Sequence, residues 1–211
     1  MRNLNNTGRV GARGFSLVEL MVALVVGLIV VGAVLALVVS IMKSNRQTLQ
    51  STRLNQELRA TMAVIASDLR RGRSVTDPLT IAKRTGGNPY KAVDTSTANC
   101  VRFGYDGAIG GACRVIRSAS GSIELAAAAP DSSGNCTTTS CTMAGGTKLG
   151  SSQVAITALT FTPTTTSTTA NTTRKFDVTI TGNLIDQDAE LSSISRTITQ
   201  TVFVRSIGSG N

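Results

Sequence analysis

Gly14-Phe15-Ser16-Leu17-Val18-Glu19 stands directly before an apolar run from Leu20 to Ile41. That run is 22 residues long, and about 20 suffice to cross a bilayer as a helix. A carboxylate beside such a segment is costly, roughly 2.5–3.5 kcal/mol on insertion scales if it sits at mid-bilayer. Glu19 therefore marks a function. Ahead of it lies a short basic leader with Arg2, Arg9 and Arg13, no acidic residue, and a glycine at its end. An ordinary secretory signal has an apolar core of about 7–15 residues and a small-residue cleavage site after it. Here the run is longer, and Ser40-Ile41-Met42-Lys43 leads on into helix-forming sequence. A plain single-pass anchor accounts for the run but gives no reason for Glu19 or for the string around it.

The sequence stays helix-compatible to Arg71, with no proline and no glycine after Lys43. Leu58, Met62, Ile65 and Leu69 step by four, three and four, which places them on one helical face. Gly72 follows the last turn, and Asp77-Pro78 blocks continuation. The expectation is one helix from Phe15 to Arg71, roughly 85 Å long at 1.5 Å per residue. Its first half is membrane-spanning and its second half packs on a folded head. Gly27 and Gly32 do not have the spacing of a G-x-x-x-G dimer motif.

Beyond about residue 75 the period changes from helix to strand. Val101 to Tyr105 alternates and Asp106-Gly107 follows as a turn. Arg114 to Arg117 and Ser122 to Ala127 read as a hairpin about Ser118-Ala119-Ser120-Gly121. Residues 130–152, rich in Gly, Ser and Thr, read as a loop stapled by two cysteines. Val154 to Thr162 and Lys175 to Thr181 are strands, with Phe176, Val178 and Ile180 on one face of the second. Pro163 to Thr173, nearly all threonine, reads as a solvated hairpin loop. Arg196 to Arg205 is the last strand and Gly208 to Asn211 a frayed tail. The fold class is α+β: a long N-terminal helix on an antiparallel β-sheet head.

The formal charge is +9, but three of the arginines lie in the leader. Cys100, Cys113, Cys136 and Cys141 all follow the apolar run, and an even count beyond an export signal reads as two disulfides formed outside the cytoplasm. Four cysteines allow three pairings. A small Cys136–Cys141 loop would leave Cys100 with Cys113, which a hairpin turning near residue 108 holds out of register, beyond the roughly 7 Å Cα separation a bridge tolerates. The expected pairing is Cys100–Cys136 with Cys113–Cys141, stapling the loop to the sheet.

Enzymatic function finds no support. The chain has no histidine, no C-x-x-C, no G-x-S-x-G and no P-loop. No cofactor and no metal is expected. Asp186, Asp188 and Glu190 lack the glycine and the twelfth-position glutamate of a calcium loop, and read as a solvated turn. Lys43, Arg46, Arg53, Arg59, Arg70, Arg71 and Arg73 form a basic arm that could neutralise DNA phosphates. Two tyrosines, five phenylalanines and no tryptophan are few for base stacking, so acidic lipid headgroups or neighbouring subunits are the favoured counterparts.

The leader, Gly14-Phe15 and Glu19 together closely resemble the class III signal of type IV prepilins. Leu54 to Arg59, Asp68 to Gly72, Cys100 to Asp106 and Ser195 to Thr199 look like PilW-type minor pilins; the J-type pseudopilin of type II secretion is similar. Ala36 stands where many major pilins carry proline, which fits a minor subunit. The resemblance implies cleavage by prepilin peptidase between Gly14 and Phe15, N-methylation of Phe15, and a Glu19 that meets the amino terminus of a neighbouring subunit. It implies residues 1–14 as the cleaved leader, 15–42 as the membrane or fibre-core half of the helix, 43–72 as its amphipathic half, and 73–211 as the head. It implies a subunit held in the bacterial inner membrane with its head in the periplasm, then carried to the cell surface in a pilus. Its partners would be other minor pilins and the major pilin, joined through their N-terminal helices. Its role would be to initiate or cap the fibre; a pseudopilus-tip role and a DNA-binding or adhesive tip are the alternatives.

Overall fold

The structure, a computed structural model, describes residues 14–204 except 78, 80–87, 91, 108–109, 133, 137–139, 143–144, 168–171 and 187–188. The leader arginines, Pro78, Asp188 and the tail expected at Gly208 to Asn211 lie outside the described residues. The chain divides after Gln47 into two units. Helix α1 (Leu17–Arg71) contributes to both.

In the first unit every described residue up to Arg46 is exposed, including the whole apolar run. No described residue of this unit hides it. By length and composition this helix can cross a membrane.

The second unit is built on the other half of α1. Leu54, Leu58, Thr61, Ile65 and Asp68 repeat at four, three, four and three residues, and all are buried. Met62 and Leu69 are buried beside it, so the expected Leu58, Met62, Ile65 and Leu69 all lie on this face, which packs on two antiparallel sheets. Each large apolar side chain taken fully from water contributes about 1.5–3 kcal/mol.

The first sheet has the order β1 (Cys100–Gly104), β2 (Cys113–Ala119), β3 (Ser122–Ala128), β4 (Thr147–Leu149). Its core residues include Val101, Phe103, Ile116 and Ile123. Ser120 (φ 49°) and Gly121 (φ 75°) close the β2–β3 hairpin in two residues, the doubly left-handed turn whose twist suits paired strands. Residues 130–152 are not wholly loop: β4 pairs with β3, Ile123 opposite Leu149.

The second sheet has the order β5 (Val154–Ser167), β6 (Thr172–Leu184), β7 (Ser195–Val204). Phe176, Val178 and Ile180 all face the core as expected. Ile156 and Leu159 are both buried although three residues apart, because a bulge between Ile156 and Ala158 resets the side-chain parity. The threonine-rich segment departs from expectation. Pro163 to Ser167 and Thr172 onward extend the two strands, Pro163 opposite Phe176. Threonine's branched Cβ favours extended backbone, and proline is tolerated because β5 is an edge strand. A short helix, α2 (Ala189–Ser192), precedes β7.

The helix end also differs in detail. Arg73, not Gly72, takes the left-handed conformation, at φ 68°. Gly72 instead allows close approach: a Cβ there would lie 2.9 Å from the Leu69 carbonyl oxygen and 3.4 Å from the Phe103 ring. The Arg73 N–H donates to the Gly104 carbonyl at 2.7 Å, fastening the helix end to β1.

The disulfides correct the expected pairing. The bridges are Cys100–Cys141 and Cys113–Cys136, with Cα separations of 6.3 and 5.2 Å. The hairpin register gives the reason. β3 ends at Ala128, opposite Cys113, so the chain enters the following loop at the Cys113 end of the sheet. The first loop cysteine, Cys136, therefore meets Cys113, and Cys141 continues to Cys100. Arg117, opposite Cys100, donates to the Cys141 carbonyl at 2.7 Å. Gly104, opposite Cys113, makes room: a Cβ there would lie 2.5 Å from Cys136 Sγ and 2.7 Å from the Tyr90 ring.

Candidate processing and assembly site

The expected processing residues fall together at the start of α1. Gly14, Phe15 and Ser16 are exposed and lie outside the helix, which begins at Leu17. The Leu20 N–H donates to the Ser16 carbonyl at 3.1 Å, so Ser16 occupies the N-cap position. Glu19 is then the third helical residue, in the first turn. Ser16-x-x-Glu19 has the spacing of a capping box, and a carboxylate here sits at the positive end of the helix dipole, worth about 0.3–1 kcal/mol. The local chemistry is thus a non-helical, accessible peptide bond between Gly14 and Phe15, followed at once by a helix with an exposed carboxylate. A bond in this position is accessible to a protease, because its backbone is not tied into helical hydrogen bonds.

The residues of the basic arm do not share one environment. Lys43, Arg46, Arg53, Arg59, Arg70 and Arg71 are exposed, whereas Arg73 is buried at 9% exposure. Arg73 belongs to the joint between helix and sheet. Its carbonyl accepts from Asn88 Nδ2 at 3.0 Å.

Of the acidic turn, Asp186 is half-buried and Glu190 lies in α2. Among the described residues no group of three or more Cys, Asp or Glu is placed to hold a metal ion.

One polar cluster escaped the sequence reading. Asp68, buried on α1, accepts a hydrogen bond from the Tyr105 hydroxyl at 2.6 Å and pairs with Arg114 Nε at 3.3 Å. The Arg114 guanidinium lies 5.8 Å from the centre of the Tyr105 ring. Burial, and then the Asp68 carboxylate, push the Tyr105 hydroxyl above its ordinary value. The signal was available: Asp68 continues the 54–58–61–65 stripe, and a carboxylate on a packing face demands a donor opposite. The cluster locks the end of α1 to the first sheet.

Two more carboxylates hold loops in place. Burial would raise Asp94, but the Ser96 amide and hydroxyl and the Arg102 guanidinium outweigh it and lower it overall. The Thr76 hydroxyl and amide, despite slight desolvation, lower Asp106.

Comparison with known proteins gives two family matches. A family model described as "Prepilin peptidase-dependent protein B" matches residues 47–204, more than half of the chain. A second, described as "Prokaryotic N-terminal methylation motif", matches residues 9–35 and so contains Gly14, Phe15 and Glu19. No curated protein and no solved structure matches.

Proposed function

The chain belongs to the prepilin peptidase-dependent protein B family, and from that premise we propose that it is a minor type IV pilin, which initiates or caps a pilus together with other minor pilins. Family and methylation motif together make it a type IV pilin-like protein processed by prepilin peptidase. The finer reading rests chiefly on one observation: the methylation motif runs straight into an apolar helix whose described residues are exposed, while a separate family model covers the disulfide-bonded head.

In this reading, prepilin peptidase cuts after Gly14 and the new amine of Phe15 is methylated. The subunit waits in the inner membrane with its head in the periplasm. Leader arginines on the cytoplasmic side agree with the positive-inside tendency. On assembly, Glu19 pairs with the amino terminus of a neighbouring subunit. A carboxylate in an apolar fibre core is expensive when unpaired, so only a correctly docked neighbour relieves the penalty, and addition becomes ordered.

The runner-up is a J-type pseudopilin of type II secretion, which the same motif and family would serve. Deletion in the native cell, scored in parallel for surface pili and for secreted enzymes, separates the two. Loss of pili and twitching with secretion intact is the expected result. Loss of secretion with pili intact assigns the chain to the pseudopilus instead.

A further inference from the structure

A β-sheet edge presents unpaired backbone N–H and C=O groups, and folded proteins blunt such edges because they recruit other strands. The second unit has two sheets and so four edges. Three of them are managed. Beside β1, Asp94 forms an antiparallel bridge to Arg102. β4 is only three residues long. β5 carries Pro163 and the bulge after Ile156, and the Ile156 N–H donates to the Gly121 carbonyl at 2.7 Å.

The fourth edge is different. β7 is ten residues long and pairs with β6 in continuous register from Ser195 to Val204, without a bulge. It contains no proline, and its one charge is Arg196, near its start. Among the described residues nothing pairs with its outer side.

At the far end of this strand is a pocket of about 460 Å³ lined by Arg70, Arg71, Ser74, Phe203 and Val204. Phe203 is 59% exposed. Arg70 and Arg71 are exposed, and no described carboxylate pairs with either. Strand and pocket share Phe203 and Val204. The strand's backbone offers ladder hydrogen bonds, and its end offers two guanidinium groups beside an aromatic ring.

We propose that the outer edge of β7, with this pocket, docks an extended, acidic segment of a partner protein as an added strand. Main-chain bonds supply the affinity, as in β-strand addition generally. Arg70 and Arg71 select carboxylates at the end lying against Val204. A second copy of this chain does not fit. Two β7 strands laid antiparallel edge to edge would bring Arg196 of one copy to the Arg70–Arg71 end of the other, and β7 has no acidic residue to offset them.

The test uses the full chain in detergent micelles. Amide exchange without any ligand comes first: alternate β7 amides exchange readily while those of β6 are protected. Full protection along β7 in the solitary chain would overturn the proposal. The probes are alternating threonine–valine peptides matched to the ten residues of β7, with two aspartates at one end or two lysines in their place. The aspartate peptides are expected to slow β7 exchange and to bind about tenfold tighter, a difference of about 1.4 kcal/mol. The double variant Arg70→Glu/Arg71→Glu, both side chains being exposed, should reverse that preference. Equal binding of the two peptides, protection at β5 instead of β7, or dimerisation through β7 in place of peptide uptake would each count against it.

Discussion

Asp68 shows how one side chain can tie two elements together. It is the only acidic residue on the buried stripe of α1, and it receives the Tyr105 hydroxyl and the Arg114 guanidinium. Removing it strands a buried hydroxyl and weakens a partly buried cation, so Asp68→Ala should cost about 2–3 kcal/mol. Denaturant unfolding of the full chain measures this; an effect near zero would mean that water replaces the carboxylate. The same contact gives a pH signature. Tyr105 is held above its ordinary value near 10, so in the folded head it keeps a proton that the unfolded chain gives up. Its contribution to stability is complete below about pH 10 and is lost as pH rises toward the folded value. An ultraviolet tyrosinate titration should show Tyr105, one of two tyrosines in the chain, ionising late; in Tyr105→Phe the late phase should disappear. Asp94 and Asp106 run in the opposite sense. Both are lowered, so their contributions are present above about pH 4 and fade as pH falls.

Among the elements, the hairpin β2–β3 sets more than its own geometry. Its two-residue turn fixes the register that places Ala128 opposite Cys113, and that register sorts the loop cysteines. Peptide mapping without reduction should recover Cys100 with Cys141 and Cys113 with Cys136, and never the crossed pairs. Replacing Cys113 and Cys136 together by alanine should cost about 2–4 kcal/mol, in the range for a native bridge closing a loop of this size. The bulge in β5 makes a related point. Val154 and Ile156 alternate, then Leu159 breaks phase, and the sequence already contained that break. A parity jump inside an otherwise apolar strand is a bulge signal, and it was legible without coordinates.

For the whole molecule, the division of labour follows the two units. The exposed apolar helix has no partner among the described residues of its own unit, and an apolar surface of that length suits lipid or neighbouring subunits. On the proposed pilin role, Glu19→Ala should leave cleavage after Gly14 intact, since the Gly14–Phe15 bond and the leader are untouched, but should impair incorporation into a fibre. Immunoblots of whole cells and of sheared pili test both parts. Normal incorporation of this variant would remove the pairing role from Glu19.

The sequence by itself determined the apolar helix, the position of Gly14, Phe15 and Glu19 at its start, the packing stripe of α1 and most strands of the head. These are local or periodic properties: a 3.6-residue stripe, a two-residue alternation and a contiguous motif are all written in near neighbours. What only the tertiary structure decided depends on residues far apart in sequence. The disulfide partners are 41 and 23 residues apart; Asp68 finds Tyr105 37 residues on; Arg73 turns inward because β1 offers a carbonyl to its amide. The split into two sheets, and an outer edge of β7 that no described residue pairs with, likewise follow from which strands find each other. Strand pairing is set by register and by competition for one core, and no short window of sequence contains that information.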